Sequence, residues 1–179
     1  MTREQYDLSI ETAELQLSVW GKISYYFLVL LLFFDSIIFL AALLFVKSKN
    51  FDKPPVSFII VPAILGGLLY LYQKNGLKFQ VIETNLSKKD MSVLIKKMCD
   101  EQKWSMAFED SDVLIANTDV SNPWRKSKKI TVLFDRNKVF VNSVYDPDTN
   151  KSSADLVGSN KQTIATIINY IQKTQTPLK

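Results

Sequence analysis

A long apolar run occupies residues 23–46, ISYYFLVLLLFFDSIIFLAALLFV, in which Ser24, Asp35 and Ser36 are the only clearly polar side chains. A second apolar run, VSFIIVPAILGGLLYLY, follows at residues 56–72. A helix that crosses a bilayer core needs roughly 20 mostly apolar residues, with a range of about 17 to 25. Both runs are therefore predicted to be transmembrane helices, although the mean hydropathy of the whole chain is only +0.03.

The predicted spans divide the 179 residues into three parts: an N-terminal segment (1–22), a two-helix membrane region (23–72) and a C-terminal domain (73–179). Residues 1–72 hold five Lys/Arg and six Asp/Glu, a net charge of −1, whereas residues 73–179 hold 17 and 12, a net charge of +5. The basic excess belongs to the C-terminal domain, whose partners are expected to be anionic.

Two spans place both termini on the same side of the membrane, and positive residues near the spans favour the cytoplasmic side. The side of the termini carries Arg3, Lys22, Lys74, Lys78, Lys88 and Lys89, against Lys47, Lys49 and Lys53 in the connecting loop. We therefore expect a two-pass protein of the inner (cell) membrane with both termini in the cytoplasm. The single cysteine suits a reducing compartment.

The segment before the first span is amphipathic, because Tyr6, Ile10, Ala13, Leu17 and Trp20 recur at helical spacing. One interpretation is a helix that lies on the membrane or packs on the chain's own C-terminal domain. The other is a helix that continues into the first span and pairs with copies of itself.

Polar and small residues within the spans predict contacts between helices. Asp35 lies near the middle of the first span, where a carboxylate is costly and usually faces a bundle interior or a wet cavity. One interpretation is that Asp35 lines an ion path in an oligomer. A second is that it is protonated and hydrogen-bonded to another helix, for example through Ser36. A third is that the long apolar span simply tolerates one carboxyl group without a function. Pro62 is expected to bend the second span, and Ala63, Gly66 and Gly67 to allow close approach of another helix. Two helices cannot enclose a pore, so we expect a homo-oligomer.

The C-terminal domain is predicted to be α+β, with two helices on one face of an antiparallel sheet. Capping boxes at Ser87 with Asp90 and at Ser159 with Gln162 mark the two helix starts. Alternating or apolar segments predict five strands, at residues 78–84, 104–109, 113–117, 129–134 and 138–144. The expected order is strand, helix, four strands, helix.

Composition excludes several kinds of catalytic site. The chain has no histidine and one cysteine, so a Cys/His zinc site and a Cys/His or Ser/His nucleophile pair cannot form within one chain. The start of a calcium loop at Asp146-x-Asp148-x-Asn150 fails further on, with Lys151 where glycine is required and Val157 where a glutamate is required. We expect no enzyme activity, no metal and no cofactor.

A basic stretch with an aromatic edge lies between two predicted strands. Its residues Trp124, Arg125, Lys126 and Lys128 could neutralise phosphates while the indole stacks on a base. Anionic lipid headgroups are a second target. The alternative is a solvated loop with Trp124 folded into the core.

The start of the last helix is a second candidate anion site. Gly158, Ser159, Asn160 and Lys161 offer backbone donors, a hydroxyl, an amide and a cation, and helix N-termini bind anions. A strand end with Asn142, Ser143 and Tyr145 leads into the preceding loop and is expected to share a pocket with it. The alternative is ordinary helix capping.

In outline the chain resembles the small two-pass membrane effectors of type III CRISPR defence, whose cytosolic domain senses a cyclic oligoadenylate. The resemblance rests on the twin spans, followed by a basic α+β domain with Trp124, Arg125, Lys126 and the helix start at residues 158–161. It implies an oligomer in which binding of a signal nucleotide rearranges the membrane helices and damages the host membrane. The site residues above are assigned from this chain and not from the family.

The sequence therefore predicts a membrane-anchored sensor-effector that binds a cyclic oligonucleotide or another small anion, with no role for duplex nucleic acid. The alternative is a non-enzymatic membrane adaptor, or an immunity protein, that binds anionic lipid or protein.

Overall fold

The structure is a computed structural model that describes residues 1–45, 55–118, 127–147 and 158–175. In chain order its elements are α1 (Arg3–Thr12), α2 (Val19–Tyr25), α3 (Phe27–Phe45), α4 (Ser57–Gly76), β1 (Gln80–Glu83), α5 (Lys88–Glu101), β2 (Ser105–Glu109), β3 (Val113–Asn117), β4 (Lys128–Asp135), β5 (Lys138–Tyr145) and α6 (Ser159–Gln175). The predicted order of strand, helix, four strands and helix after the second span is confirmed.

The helices α3 and α4 are long and apolar enough to cross a membrane, with 19 and 20 residues and hydropathies of 2.8 and 1.4. Only 11% of the 18-residue apolar stretch in each helix is buried, whereas the core helix of a soluble protein is mostly buried. They pack as an antiparallel hairpin, as shown by the ring pairs Tyr26–Tyr70 at 5.4 Å and Phe39–Phe58 at 5.3 Å.

The helix boundaries differ from those predicted for the two apolar runs. The first run is divided at Tyr26, the residue that follows α2, and α3 begins at the next residue. The second helix continues past Tyr72 to Gly76, so that its last turn is polar and leaves the apolar run. This last turn brings the span into contact with the rest of the chain.

The five strands form one antiparallel sheet in the order β1-β5-β4-β3-β2. The first strand therefore joins the last, with Gln80 opposite Val141 and Glu83 opposite Lys138. This pairing places the start of β1, which follows directly on α4, beside the middle of β5. The end of the second candidate span is thus fixed to the centre of the chain's longest hairpin, β4–β5.

One face of the sheet is covered by α5 and α6, as predicted. The side chain of Ser87 caps α5 by accepting a hydrogen bond from the Asp90 amide at 3.2 Å. The core on this face includes Met91, Ile95, Met98, Leu114, Val132, Val141, Ile167 and Ile171. Full burial of such a side chain stabilises the fold by roughly 1.5–3 kcal/mol.

The opposite face of the sheet is covered by the N-terminal segment, so the prediction of helices on one face was incomplete. Tyr6, Leu15 and Tyr25 pack there against Leu77, Phe79, Val113, Ile115, Leu133, Phe140 and Val144. The Tyr6 hydroxyl donates a 2.7 Å hydrogen bond to the Phe134 carbonyl, and burial raises the pKa of Tyr6 to about 12. This phenol therefore stays protonated and acts as a donor at neutral pH.

The N-terminal segment is not one helix. Helix α1 ends at Ala13, whose φ of 51° lies in the left-handed region. The extended chain that follows pairs with the residues after α4: the Leu15 amide donates to the Leu77 carbonyl and the Phe79 amide to the Ala13 carbonyl, both at 2.8 Å. Of the two interpretations of this segment, packing on the C-terminal domain is the one the structure shows.

The predicted cap of the last helix is displaced by one residue. Ser159 is the first residue of α6, and Gly158, with φ of 74°, precedes it. The Gly158 carbonyl accepts a hydrogen bond from the Gln162 amide at 3.3 Å, so Gly158 occupies the position predicted for Ser159.

Candidate functional site

A cavity of about 340 Å³ lies where the end of α4 meets the sheet and the first turn of α6. Residues from four parts of the chain line it: Tyr25, Tyr72, Gln73, Asn75, Gly76, Lys78, Phe79, Gln80, Ser143, Gly158, Asn160, Lys161 and Ile164. Its volume lies at the lower end of the range for small-molecule sites, about 300–1,000 Å³. The cavity is therefore a candidate binding site between the span and the sheet domain.

Asn142 fixes the end of α4 to the sheet beside this cavity. It lies in β5, is fully buried, and its amide nitrogen donates to the carbonyls of Gly76 and Lys78 at 3.0 and 2.9 Å. Both carbonyls belong to the turn between α4 and β1, where helix carbonyls need partners. Asn142, predicted to bind ligand, thus makes contacts that position the cavity wall.

Tyr25 joins α2 to the same end of α4. Its hydroxyl donates to the backbone carbonyl of Gln73 at 3.0 Å, and its ring lines the cavity. Gly76 allows this approach, because a Cβ atom there would lie 2.9 Å from the Tyr25 hydroxyl oxygen. A side chain at position 76 would therefore displace the Tyr25 hydroxyl.

Two buried polar side chains on the cavity wall have no hydrogen-bond partner within the described residues. Gln73 and Ser143 are each 1% exposed, and the amide nitrogen and oxygen of Gln73 and the hydroxyl of Ser143 are unpaired. Leaving a buried polar group unpaired costs about 1–3 kcal/mol. Each of these atoms exposes less than 1 Å², so a polar ligand or ordered water in the cavity would satisfy them after a small movement of the wall.

The charged groups on the cavity wall are cationic. Lys78 and Lys161 line the cavity with exposed ammonium groups, and none of the described lining residues is an aspartate or glutamate. The start of the 17-residue helix α6 lies on the same wall, and a helix N-terminus carries a partial positive charge and free amide donors. Together these features favour an anion.

Apart from Asn142, the predicted ligand residues fall into three groups. Asn160 and Lys161 line the cavity. Lys128, Tyr145 and Ser159 hold the start of α6 against the sheet: the Lys128 ammonium donates to the Ser159 carbonyl at 2.7 Å, and the hydroxyls of Tyr145 and Ser159 lie 2.9 Å apart. The predicted residues Trp124, Arg125 and Lys126 lie outside the described residues.

The sequence did not predict Gln73, Tyr25 or Tyr72 as site residues, because the two tyrosines were counted in the apolar runs. The signal for Gln73 was its position directly after Tyr72, where the apolar run ends. Ser143 was predicted to share a pocket with the last helix start, and it lines the cavity together with Asn160 and Lys161.

Within one chain, the close approach of the second span to α3 occurs at Gly66, and the predicted contact of Gly67 with another copy stays a prediction. A Cβ atom at Gly66 would lie 3.4 Å from both the Leu32 Cβ and the Phe33 ring, so Gly66 faces α3. Gly67 has nothing within 4 Å of such an atom and faces outward. Pro62 lies inside α4, as predicted.

Asp35 is half-buried in α3 and forms no ion pair within the part of the chain that the structure describes. The hydroxyl of its neighbour Ser36 donates to the Leu32 carbonyl of the same helix at 3.0 Å. The Ser36 hydroxyl is thus bonded within its own helix. It does not bridge Asp35 to another helix of this chain.

Two further features of the described residues bear on metal binding and nucleophilic chemistry. No group of three His, Cys, Asp or Glu side chains within these residues could hold a metal ion. Cys99 is 2% exposed, and burial raises its pKa to about 11. Its thiol therefore stays protonated at neutral pH and is a poor nucleophile.

Comparison of the chain with protein-family models, with curated proteins and with solved structures found no match. The fold and the site define the class: an α+β domain built on a pair of apolar helices, with a cationic cavity at the junction between the two.

Proposed function

We propose that this protein is a two-pass membrane receptor that binds a phosphate-bearing small molecule in the cavity between α4 and the sheet. In this proposal both termini lie in the cytoplasm, α3 and α4 cross the inner membrane, and several copies assemble through their spans. No residue acts as a catalyst.

The cavity wall is the observation that carries the proposal. Phosphate oxygens accept hydrogen bonds and carry negative charge, which matches the ammonium groups of Lys78 and Lys161 and the amide donor of Gln73. The aromatic residues Tyr25 and Tyr72 on the same wall suit a flat, partly apolar group beside the phosphate. A nucleotide combines these two chemistries.

The size of the cavity limits what enters it. A volume of about 340 Å³ suits a ligand of about one nucleotide. A complete cyclic oligonucleotide is larger, so one nucleotide of the ring would enter each chain's cavity. The resemblance to type III CRISPR effectors makes cyclic oligoadenylates the first nucleotides to test.

The position of the cavity supports a signalling role. Gln73 lies in the last turn of α4 and faces the cavity, while its carbonyl is bonded to Tyr25, at the end of the helix that leads into α3. A ligand that bonds the Gln73 side chain acts on a residue to which both spans are connected. Binding would then alter the packing of the spans in the oligomer, which is the proposed effector step.

The binding experiment uses the full chain in nanodiscs and measures affinity by isothermal titration calorimetry. The probes are cyclic oligoadenylates, AMP and inorganic phosphate, and, as lipid headgroup analogues, glycerol 3-phosphate and inositol phosphates. Nucleotide binding at least tenfold tighter than binding of the headgroup analogues supports the receptor. Tighter binding of the headgroup analogues instead supports the alternative, a membrane adaptor whose cavity holds an anionic lipid.

Lys161→Gln and Lys173→Gln form a matched pair of variants for this experiment. Both lysines are exposed on α6, but Lys161 lies in its first turn on the cavity wall, whereas Lys173 lies in its last turn. Only Lys161→Gln should weaken binding, by about tenfold for one lost charge-assisted bond. Equal affinity of the two variants for every probe would contradict binding of the ligand in the cavity.

The effector step is tested by leakage of a dye from liposomes that contain the full chain. Ligand-dependent leakage that Lys161→Gln reduces supports the sensor-effector. Binding without ligand-dependent leakage supports an adaptor or immunity protein. Reporter fusions at each terminus test the predicted cytoplasmic location of both ends.

A further inference from the structure

The short helix α2 presents its apolar side chains outward. Val19 is 73% exposed and Trp20 79%, with Ile23 at 41% on the same side of the helix. A helix on the surface of a soluble domain turns such side chains toward the core. The outward face of α2 therefore needs a partner other than water.

The inward face of α2 packs closely against the rest of the chain. Gly21 and Tyr25 are buried, and a Cβ atom at Gly21 would lie 3.1 Å from the Ser18 hydroxyl oxygen and 4.0 Å from Pro147. The hydrogen bond from Tyr25 to Gln73 fixes the same face. Rotation of α2 to bury Trp20 would break these contacts, so the exposure of Trp20 is set by the packing.

The position of α2 in the chain indicates what covers its outward face. A single residue, Tyr26, separates α2 from α3, and the exposed apolar side continues into Phe27. The surface is therefore continuous with the candidate span. Tryptophan is enriched at the boundary between headgroups and acyl chains, where its ring is apolar and its N–H group meets water.

The charges near this surface fit the same partner. Lys22 is exposed on α2, and Lys74 is exposed in the last turn of α4, close to the hydrogen bond that joins the two helices. Basic residues at the membrane surface are each attracted to anionic lipids by about 1 kcal/mol.

We propose that α2 is an interfacial anchor: Val19, Trp20 and Ile23 insert into the headgroup–acyl boundary of the cytoplasmic leaflet and hold the sheet domain against the membrane. The proposal rests on the membrane insertion of α3 and α4 but not on the ligand of the cavity. It places Tyr25, which lines the cavity, on the inward face of a helix that lies in the membrane surface.

The test measures quenching of tryptophan fluorescence in nanodiscs made with lipids brominated either near the headgroup end or near the methyl end of the acyl chains. The full chain is compared with Trp20→Phe and Trp104→Phe. Trp104 is the matched control, because it packs against the α5–α6 core, away from α2. The difference between each variant and the unchanged chain gives the fluorescence of one tryptophan, so each variant needs only one substitution.

The expected result is that headgroup-proximal bromine removes the same amount of fluorescence from the unchanged chain and from Trp104→Phe, whereas it removes less from Trp20→Phe by the contribution of Trp20. The third tryptophan, Trp124, is present in all three chains and cancels in the comparison. Equal loss of fluorescence in Trp20→Phe and in the unchanged chain, or a Trp20 contribution that arises only from bromine near the methyl end, overturns the interfacial anchor. Extraction of the chain from membranes at alkaline pH is measured first. Extraction of the chain would contradict the membrane insertion of α3 and α4. Retention of the chain without quenching of Trp20 would contradict only the proposed anchor.

Discussion

The hydroxyl of Tyr25 and the backbone carbonyl of Gln73 are joined by a 3.0 Å hydrogen bond across 48 positions of the sequence. The bond closes the base of the α3–α4 hairpin, because Tyr25 ends α2 and Gln73 lies in the last turn of α4. Both residues also line the cavity. A change at either residue is therefore expected to affect the hairpin and the cavity together.

Tyr25→Phe removes this hydrogen bond and leaves the ring in place. We expect the free energy of unfolding to fall by about 1 kcal/mol, the net value of a typical hydrogen bond. Denaturant unfolding in detergent measures it, with Tyr70→Phe as the control, because Tyr70 makes a ring contact with Tyr26 on the same hairpin. Equal destabilisation by the two variants would contradict the role of the Tyr25 hydroxyl.

Gln73→Leu replaces an unpaired buried amide with an apolar side chain of similar size. We expect the ligand-free protein to become more stable, by up to about 1–3 kcal/mol, because the cost of the unpaired amide is removed. Ligand affinity should fall at the same time, as measured by calorimetry with the probes above. Loss of both stability and affinity would mean that the amide has partners in the ligand-free protein and is not kept for a ligand.

Gly76→Ala and Gly67→Ala place the same methyl group at two positions of α4 with different surroundings. At position 76 the Cβ atom would lie 2.9 Å from the Tyr25 hydroxyl oxygen, whereas at position 67 it meets nothing within 4 Å. We expect Gly76→Ala to destabilise the protein by about 1 kcal/mol through the displaced hydrogen bond. Gly67→Ala should raise monomer stability by about 0.5–1 kcal/mol, because alanine is the better helix former.

Gly67→Ala also tests the proposed oligomer. If the outward face of α4 packs closely on another copy at Gly67, the added methyl group should weaken association, as measured by sedimentation in detergent. Unchanged association would exclude Gly67 from the interface between copies. Gly66→Ala is the control, since Gly66 faces α3 of the same chain.

Asp112 links three separate parts of the chain. Its carboxylate accepts from Lys88 at 2.6 Å and from Arg3 at 3.3 Å, and the Lys88 hydrogen bond holds its pKa below the usual range. A group whose pKa is lowered in the folded protein stabilises the fold above its ordinary pKa of about 3.9 and loses this effect as the pH falls.

We therefore expect Asp112→Asn to reduce stability at pH 7 by about 1 kcal/mol or less, because the pair is partly exposed. The difference from the unchanged chain should disappear as the pH falls through the lowered pKa of Asp112. Thermal unfolding from pH 7 to acid measures both, with the exposed Asp100→Asn as the control. A difference that stays constant with pH would show that the substitution acts through packing and not through charge.

Local patterns predicted the C-terminal elements well. Ser87 caps α5 as predicted, and the turn at Arg136 and Asn137 joins β4 to β5 as the alternating arms indicated. These features depend on neighbouring residues, so a single sequence contains them. The pairing of β1 with β5 depends on residues far apart in the chain, and no local pattern specifies it.

The N-terminal segment and the cavity show where sequence patterns were insufficient. The spacing of Tyr6, Ile10 and Ala13 predicted an apolar stripe, but it could not indicate whether lipid or the sheet covers that stripe. The wall of the cavity is assembled from α2, α4, β1, β5 and α6, so its residues share no motif. Lys161 and Asn160 were predicted because a helix start is a local feature; Gln73 was not, since its burial arises only from the tertiary fold.

The pairing of Ala13 and Leu15 with Leu77 and Phe79 sets an order of assembly during synthesis. The ribosome makes Ala13 early, and its partners emerge only after both apolar helices. Closing a long flexible loop to bring such distant residues together costs entropy. In the proposed topology, insertion of α3 and α4 as an antiparallel hairpin would return Leu77 to the side of the membrane on which Ala13 lies, and so reduce the entropy cost of bringing them together. If α3 and α4 cross the membrane as proposed, their insertion is also a folding step of the sheet domain, and a fragment that lacks the hairpin would have to complete the second face of its sheet unaided.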